Sequence, residues 1–391
     1  MLNWVRGLWS TKSLWAKGFF FDRPLLLIQS DDWGRLGVRD REGFEVIRAA
    51  GVHLGDQPYD LYSLETAEDL AALSSVLRRH HDSAGRSPSV VMNFLVANLD
   101  FPKIAQSGFR NIQLKWLAEG LPGNWKRPGL LEAYGQGVAE GLFYPALHGI
   151  SHFCRRAVER ELAANGERAE LLQTLWKAET PYIFWRMPWI GYEYWDPERP
   201  PKERALPAEQ QADLIRQGVH GFSLLFGKSA ASACAPGYRA DHNTHSTWAQ
   251  AEVKVAQNGP GGLTAPYFDD EGLLNICRNI DFEPAFDAKG FSVEQCLHAA
   301  AECFARGIPA VVSSHSINFH SSLQDFRTPT LQFLDQFLSG LEAKYPSILY
   351  VNDADIFELV THGRYATARG SVSLNVIQQK GHRSMSTARR T

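Results

Sequence analysis

The stretch Leu25-Leu26-Leu27-Ile28-Gln29-Ser30-Asp31-Asp32-Trp33-Gly34 constrains this chain more than any other. An apolar run ends in two adjacent carboxylates, followed by an aromatic residue and a glycine. Apolar runs of this length, bounded by polar and turn residues, read as buried parallel strands. In α/β sheets, open or closed, chemistry collects at the carboxyl ends of the strands. Two neighbouring aspartates there repel each other in a low dielectric, so one resists ionisation or meets a cation. A metal on one Asp leaves the other as a base. The competing reading is a turn with an Asx cap ahead of a helix.

The same pattern recurs along the chain. A second apolar run, residues 90–96, leads to Asn98 and Asp100, and residues 142–147 lead into His148-Gly149-Ile150-Ser151-His152. Ser232-Ala233-Cys234-Ala235-Pro236-Gly237-Tyr238 reads as a strand passing into a loop. Residues 310–318 read as a buried strand ending in polar groups that include His315, and 348–351 as the last strand. Between these lie helical patterns at 38–50, 64–79, 155–176, 207–218 (continued through 222–226 to Gly227), 244–256, 293–305, 330–341 and 353–360, and a broken one at 103–140. Thr66 with Asp69 makes a capping box. Asn258-Gly259-Pro260-Gly261-Gly262 reads as a turn cluster and lacks the ending of a phosphate loop. Strands alternating with helices, with charged and imidazole groups after the strands, predict parallel strands and a barrel-like α/β layout.

The chain of 391 residues is 44% hydrophobic and 21% charged, ordinary for a globular enzyme. A formal charge of -3 gives no reason to invoke nucleic acid. The five cysteines, Cys154, Cys234, Cys277, Cys296 and Cys303, form no C-x-x-C pair, which argues against a disulfide framework or a structural zinc site. No signal peptide is legible at the N-terminus, and no run of about 18 apolar residues would span a membrane. A cytoplasmic location is therefore expected. Trp4, Trp9 and Trp15 with Lys12 and Lys17 suit a short amphipathic lead-in packed on the domain, with peripheral contact to a membrane surface as the alternative. The expected organisation is a lead-in at 1–24, a catalytic barrel at 25–360 and a basic, poorly ordered tail at 361–391 containing one strand at 372–377. An aromatic-rich insertion at about 180–207 reads as a lid, or as a hydrophobic seam sealing a long loop.

Asp31, Asp32, His148, His152 and His315 all fall at predicted strand ends. One carboxylate with two imidazoles is a ligand set for a hydrolytic divalent metal, leaving positions for water and substrate. A second carboxylate beside it can take a proton, and a separate imidazole can protonate a leaving group.

These motifs resemble those of the polysaccharide deacetylases, the NodB-homology or carbohydrate esterase family 4 group. Ser30-Asp31-Asp32-Trp33-Gly34 is similar to the family's first motif, Thr-Phe-Asp-Asp-Gly, with a Trp inserted. His148-Gly149-Ile150-Ser151-His152 is similar to its second, His-x-Ser/Thr-x-x-His, by its paired histidines and its place after a strand, although its Ser is not in the usual slot. Val312-Ser313-Ser314-His315 is similar to the late strand carrying the catalytic His. The resemblance covers about residues 25–360 and implies a distorted (β/α) barrel of about seven parallel strands. It implies Asp31 as general base, Asp32, His148 and His152 as metal ligands, and His315 as general acid. It also implies one divalent ion, zinc first, with cobalt, nickel or manganese as alternatives, and removal of an acyl group, foremost acetyl, from an amino sugar or glycan.

The third family motif, whose Arg orients the base, is matched by neither of two contenders in full. Arg186-Met187-Pro188-Trp189 keeps the Arg. The 233–238 stretch fits better by context but puts Cys234 at the Arg position, so that the arginine comes from Arg239, Arg278 or Arg186, or is absent. The backbone N–H of Gly237 is then the candidate oxyanion donor, with Tyr238 and Trp189 as substrate contacts and Glu283 as a contact to sugar hydroxyls. Two other readings compete. One is a glycoside hydrolase using Asp31 with Glu283. The other is a non-catalytic glycan-binding relative.

Overall fold

The computed structural model describes residues 18–367 and 370–379; the aromatic, basic stretch at 1–17 lies outside the described residues. Parallel strands β1 (Leu25–Trp33), β2 (Val90–Leu95), β3 (Phe143–Gly149), β4 (Ser232–Cys234), β5 (Val255–Pro260), β6 (Leu274–Arg278) and β7 (Ala310–His315) lie side by side in the order β7-β1-β2-β3-β4-β5-β6. One residue after β6, Ile280–Asp281 pairs with Val312 and Ser313 of β7, and the Asn279 N–H between them donates to the Val311 carbonyl at 3.0 Å. One half of the 274–281 segment therefore bonds β5 and the other half β7, and the sheet closes into a barrel. An eighth strand, β8 (Leu349–Val351), pairs with Leu25–Leu27 of β1 on the edge away from β7, below the point where β2 takes over at Ile28. This wedge distorts the barrel.

Side-chain parity sorts the strands into an inner and an outer face. Leu25 and Leu27 of β1 share one buried cluster with Val91, Val255, Ile276 and Val311, which fills the barrel. Leu26 and Ile28 join Val90, Met92, Ala310 and Val312 in a second cluster under the surrounding helices. The outer shell includes Ala67–Leu77, opened by the Thr66/Asp69 capping box, and Arg327–Lys344, whose Leu334, Phe337, Leu338 and Leu341 are buried. Across β3 and β4 lies Ala208–Phe226, one continuous helix closed by left-handed Gly227, with Ile215 and Phe222 packed on Leu147 and Ala233. Among the described residues no helix is long and apolar enough to cross a membrane.

Three expectations change. The helix expected at 244–256 is shorter, His242–Gln250, and is followed by β5, which takes in Asn258, Gly259 and Pro260 of the expected turn cluster. That strand reads as polar because its inward residue, Gln257, faces a buried polar network rather than apolar core. The helix expected at 155–176 breaks into Arg155–Ala164 and Glu167–Lys177, with Asn165 left-handed at φ 51 as the C-cap of the first.

The expected loose tail is structured where it is described, over residues 361–367 and 370–379, and residues 380–391 lie outside the described residues. Arg364–Thr367 and Gly370–Ser373 form a hairpin, and Val376–Gln379 pairs antiparallel with Gly18–Phe21. Phe19, Phe21, Tyr365 and Leu374 join the interior cluster with Ile356 and Leu359 of the helix Asp353–His362. Gly18–Phe21 and the segment 364–379 therefore close the floor of the barrel, which a composition of small and basic residues does not reveal.

Tyr365 is fully buried, and its hydroxyl lies 2.6 Å from Asp82 Oδ2 and 2.7 Å from the Tyr350 carbonyl oxygen, with its one proton to share between them. Tyr365→Ala is expected to lower the unfolding free energy by about 3–5 kcal/mol in urea titrations. An unchanged midpoint would show that this segment does not seal the barrel.

Candidate metal centre

The upper end of β1 is bent so that two adjacent aspartates face different ways. Ser30 is in register with Met92, but the next paired residue is Trp33, opposite Phe94, so Asp31 and Asp32 together face Asn93. Asp32 has left-handed backbone, φ 73. That conformation costs a non-glycine residue about 1–3 kcal/mol and persists only where its surroundings hold it. Here the Tyr62 hydroxyl donates to the Asp32 carbonyl at 2.9 Å, the Ser316 hydroxyl donates to it at 3.2 Å, and the Gly34 N–H donates to buried Glu65 at 2.8 Å.

Asp31 points into the barrel. Arg278, at the end of β6 and fully buried, donates to Asp31 through both terminal nitrogens at 2.7 and 2.6 Å. Asn93 Nδ2 donates to the same carboxylate at 2.7 Å, and the Tyr238 hydroxyl reaches it at 3.3 Å. Burial alone would raise the Asp31 carboxyl, but the Arg278 charge and hydrogen bonds hold it well below the ordinary carboxylate range. Beneath the pair, Arg278 Nε donates to Gln29, Gln29 donates to Asp353 at 2.7 Å, and Gln257 Nε2 lies 2.7 to 2.9 Å from oxygens of Asn93, Ser232 and Asp353. These polar side chains, all buried, form a layer across the barrel that fixes Arg278 from below.

Asp32 turns outward from that layer. Its Oδ2 accepts from Arg35 at 2.7 Å, and the Arg35 guanidinium lies against the rings of Tyr59, Tyr62 and Tyr182 at 4.6 to 5.7 Å. Its Oδ1 lies 3.7 Å from His148 Nε2 and 3.4 Å from His152 Nε2. His148 is the next-to-last residue of β3, and its Nδ1 lies 2.8 Å from the Cys234 carbonyl. A carbonyl only accepts, so the proton sits on Nδ1 and Nε2 presents a lone pair. The loop from His148 to His152 is pinned by Glu193, whose Oε1 accepts from the N–H groups of Ile150 and Ser151 at 2.8 and 3.2 Å. Gly149, at φ 138, is required there, because a Cβ would stand 2.1 Å from the other Glu193 oxygen. Burial pushes the Glu193 carboxyl up to about 8. Burial also lowers both imidazoles despite the nearby aspartates, His152 to about 3, so both stay neutral.

Asp32 Oδ1 and His148 Nε2 are buried without a hydrogen-bonding partner. Such atoms are costly unless something else satisfies them. Two ligands about 2.0–2.1 Å from a tetrahedral ion stand about 3.3–3.4 Å apart, close to the spacings here. Neutral imidazoles and an ionised carboxylate are the protonation states a divalent metal needs. Asp32, His148 and His152 therefore fit a metal ion. A second grouping, Asp31, His148 and Cys234, is also within ligand reach. It fits less well: Arg278 occupies both Asp31 oxygens, and burial raises the Cys234 thiol, keeping it protonated.

His315 ends β7 in register with Asp31, and its Nε2 lies 4.0 Å from Asp31 Oδ2. Its Nδ1 is 2.6 Å from Glu283, whose other oxygen accepts from Asn318 at 2.6 Å. Burial would lower the imidazole, but Glu283, with Asp31 and Asp32 behind it, raises it to about 9.

The structure therefore brings Asp31, Asp32, His148, His152, His315 and Tyr238 together and relocates two expected contacts. Glu283 is engaged with His315 and Asn318 rather than presented to sugar hydroxyls. Trp189 is 8% exposed and capped by Arg168 at 5.1 Å, so it packs the insertion onto the core. The insertion's exposed ring is Trp185, at 48%, against Tyr59. Gly237, at φ 60, lies against the Tyr192 ring, where a Cβ would come within 2.4 Å. Among the three arginines in question, Arg278 reaches Asp31, Arg186 pairs with Asp60 at 2.8 Å, and Arg239 lies over Tyr192 and Trp195. Arg35, Asn93, Glu193, Gln257 and Asp353 were not singled out from the sequence. A polar residue inside an apolar run, as with Gln29 and Asn93, is the one signal that points to the inner layer.

No family model matches this sequence, and no curated protein matches it. Solved structures similar to it include a Pseudomonas aeruginosa PAO1 protein described as a probable polysaccharide deacetylase, at 12% identity and TM-score 0.48, covering 87% of this chain and 92% of that one. Another is a 4-alpha-glucanotransferase from Thermococcus litoralis, at 11% identity and TM-score 0.46, covering 86% of this chain and 40% of that one. A third is a carbohydrate esterase family 4 pseudoenzyme from Bacillus anthracis, at 9% identity and TM-score 0.36, covering 87% and 66%. These likenesses are of outline only and leave the chemistry to the side chains.

Removing one member of a buried ion pair strands the other. Arg278→Met is expected to cost about 3–5 kcal/mol, and the double variant Asp31→Asn/Arg278→Met to recover much of that loss. Additive losses in the double variant, measured by chemical denaturation, would contradict the coupling.

Proposed function

We propose that this protein is a metal-dependent hydrolase that removes an acyl group, foremost acetyl, from an amino sugar or glycan intermediate, as a divergent relative of the polysaccharide deacetylases. The observation that carries this reading is the convergence of Asp32 Oδ1, His148 Nε2 and His152 Nε2, the first two buried and unpartnered, beside Asp31 and His315. We assign the activity to the barrel at residues 25–360. Zinc is the first choice of ion, since a carboxylate with two imidazoles is a common catalytic zinc set.

A divalent ion held by Asp32, His148 and His152 would supply Lewis acidity toward an acyl carbonyl and water. Asp31 takes the proton from the attacking water. Arg278 keeps Asp31 ionised and aimed, and Tyr238, which accepts from Arg278 at 2.8 Å, fixes its far side. His315, cationic at neutral pH through Glu283, donates a proton to the departing amine or alkoxide. The backbone N–H of Gly237 is the proposed donor to the developing oxyanion. Water adds to the acyl carbon, the C–N or C–O bond breaks, and the products are acetate and the free amine or alcohol.

A glycoside hydrolase would need Asp31 and Glu283 as an acid and base pair. Glu283 is held by His315 and Asn318, which counts against that reading.

Screening zinc-loaded protein against acetylated amino sugars should show acetate release without new reducing ends. Asp31→Asn should retain the metal and lose about 10²–10⁴-fold in turnover. Since the active form carries a protonated His315, the rate should fall as pH rises through about 9. Glu283→Gln removes the group that raises that value, so the alkaline limb should move toward the ordinary histidine range. An unmoved limb would show that His315 is not the acid.

A further inference from the structure

Each cation at the centre has its own carboxylate: Arg278 on Asp31, Arg35 on Asp32 and His315 on Glu283. Arg239 has none among the described residues. It is exposed, yet its guanidinium is placed, lying over the rings of Trp195 at 5.0 Å and Tyr192 at 5.9 Å. Tyr192 in turn packs edge-on to His152, with ring centres 5.4 Å apart. The same short segment that delivers Tyr238 to Asp31 therefore delivers Arg239 to the rim, one ring away from a proposed metal ligand. The Tyr59 ring, against Arg35, meets two exposed aromatic rings, Trp185 at 6.2 Å and Phe286 at 5.4 Å.

An arginine stacked on two aromatic faces has already lost part of its side-chain freedom and keeps its fork of donors for an oxyanion. Arg and carboxylate or phosphate groups pair bidentately, which adds orientation as well as attraction. Within the reading of the preceding subsection, we propose that Arg239 binds an anionic group of the substrate. The substrate is then an acylated amino sugar bearing a phosphate or carboxylate about one sugar ring away from the acyl group. The side-chain cations of the centre are already compensated, which leaves the metal as the one competitor for that anion.

The test is calorimetric titration of zinc-loaded full-length protein and its Arg239→Ala and Arg239→Lys variants. The probes are N-acetylglucosamine, its 1-phosphate, its 6-phosphate, N-acetylmuramic acid and inorganic phosphate. At least one anionic sugar is expected to bind about tenfold or more tightly than N-acetylglucosamine, with that advantage lost in Arg239→Ala and partly kept in Arg239→Lys. A winning sugar phosphate identifies phosphate as the recognised group, and a winning N-acetylmuramic acid identifies carboxylate. Inorganic phosphate reports attraction to the metal itself, so an anionic preference that persists in Arg239→Ala and follows inorganic phosphate overturns the proposal. Equal binding of neutral and anionic sugars, with acetate released, overturns it while sparing the deacetylase reading. No binding of any sugar overturns both.

Discussion

The contact on which the rest of this structure depends is the buried pair of Arg278 and Asp31. Two unit charges have been taken out of water inside a barrel, where desolvation offsets most of their attraction. Such a pair is a poor source of stability, and its value lies in geometry. The barrel has to be polar at that level, so Gln29, Asn93, Ser232, Gln257 and Asp353 satisfy one another and the guanidinium. Gln29, Asn93, Ser232 and Gln257 then constrain the strands that carry them, and Asp353 the helix that it opens. The register of β7 on β1 sets His315 beside Asp31.

Adjacent carboxylates at one strand end would repel each other if they shared an environment. The bulge at Asp31 and Asp32 separates them. Asp31 faces inward to one arginine, and Asp32, in left-handed backbone, turns to Arg35 with one oxygen and to two imidazoles with the other. Each aspartate thus has its own cation, and only Asp32 keeps a buried oxygen unpartnered. The strain of Asp32 is held by Tyr62 and Glu65, from the loop ahead of Ala67–Leu77, and by Ser316 after β7, and this accounts for a substantial buried polar structure around a single turn. Strained backbone held this way is common where a side chain must be aimed.

The residues legible in the sequence share one property: they terminate apolar runs. Asp31, Asp32, His148, His152 and His315 stand after runs whose alternation places them at the barrel mouth. β5 and β6 were not legible, because Gln257 and Arg278 replace apolar residues on the inner face and break the signal. Their partners lie far along the chain, Arg278 being 247 positions from Asp31. Glu283 was visible as a carboxylate near the site, but its partner His315 is 32 positions away, and no local pattern joins them. Aromatic density flagged the insertion, yet composition cannot say which ring is covered, and Trp189 is buried where Trp185 is not. The floor of the barrel was hidden for a similar reason, since Tyr365 and Leu374 find their core through long-range contact.

X-ray absorption at the zinc edge of the zinc-loaded protein tests the central claim most directly, because it reads the ligands. The account predicts one ion per chain in a shell of oxygen and nitrogen donors, with the outer scattering of two imidazoles from His148 and His152. A sulfur in that shell would place the ion on Cys234 instead, and no stoichiometric zinc would contradict the metal centre altogether.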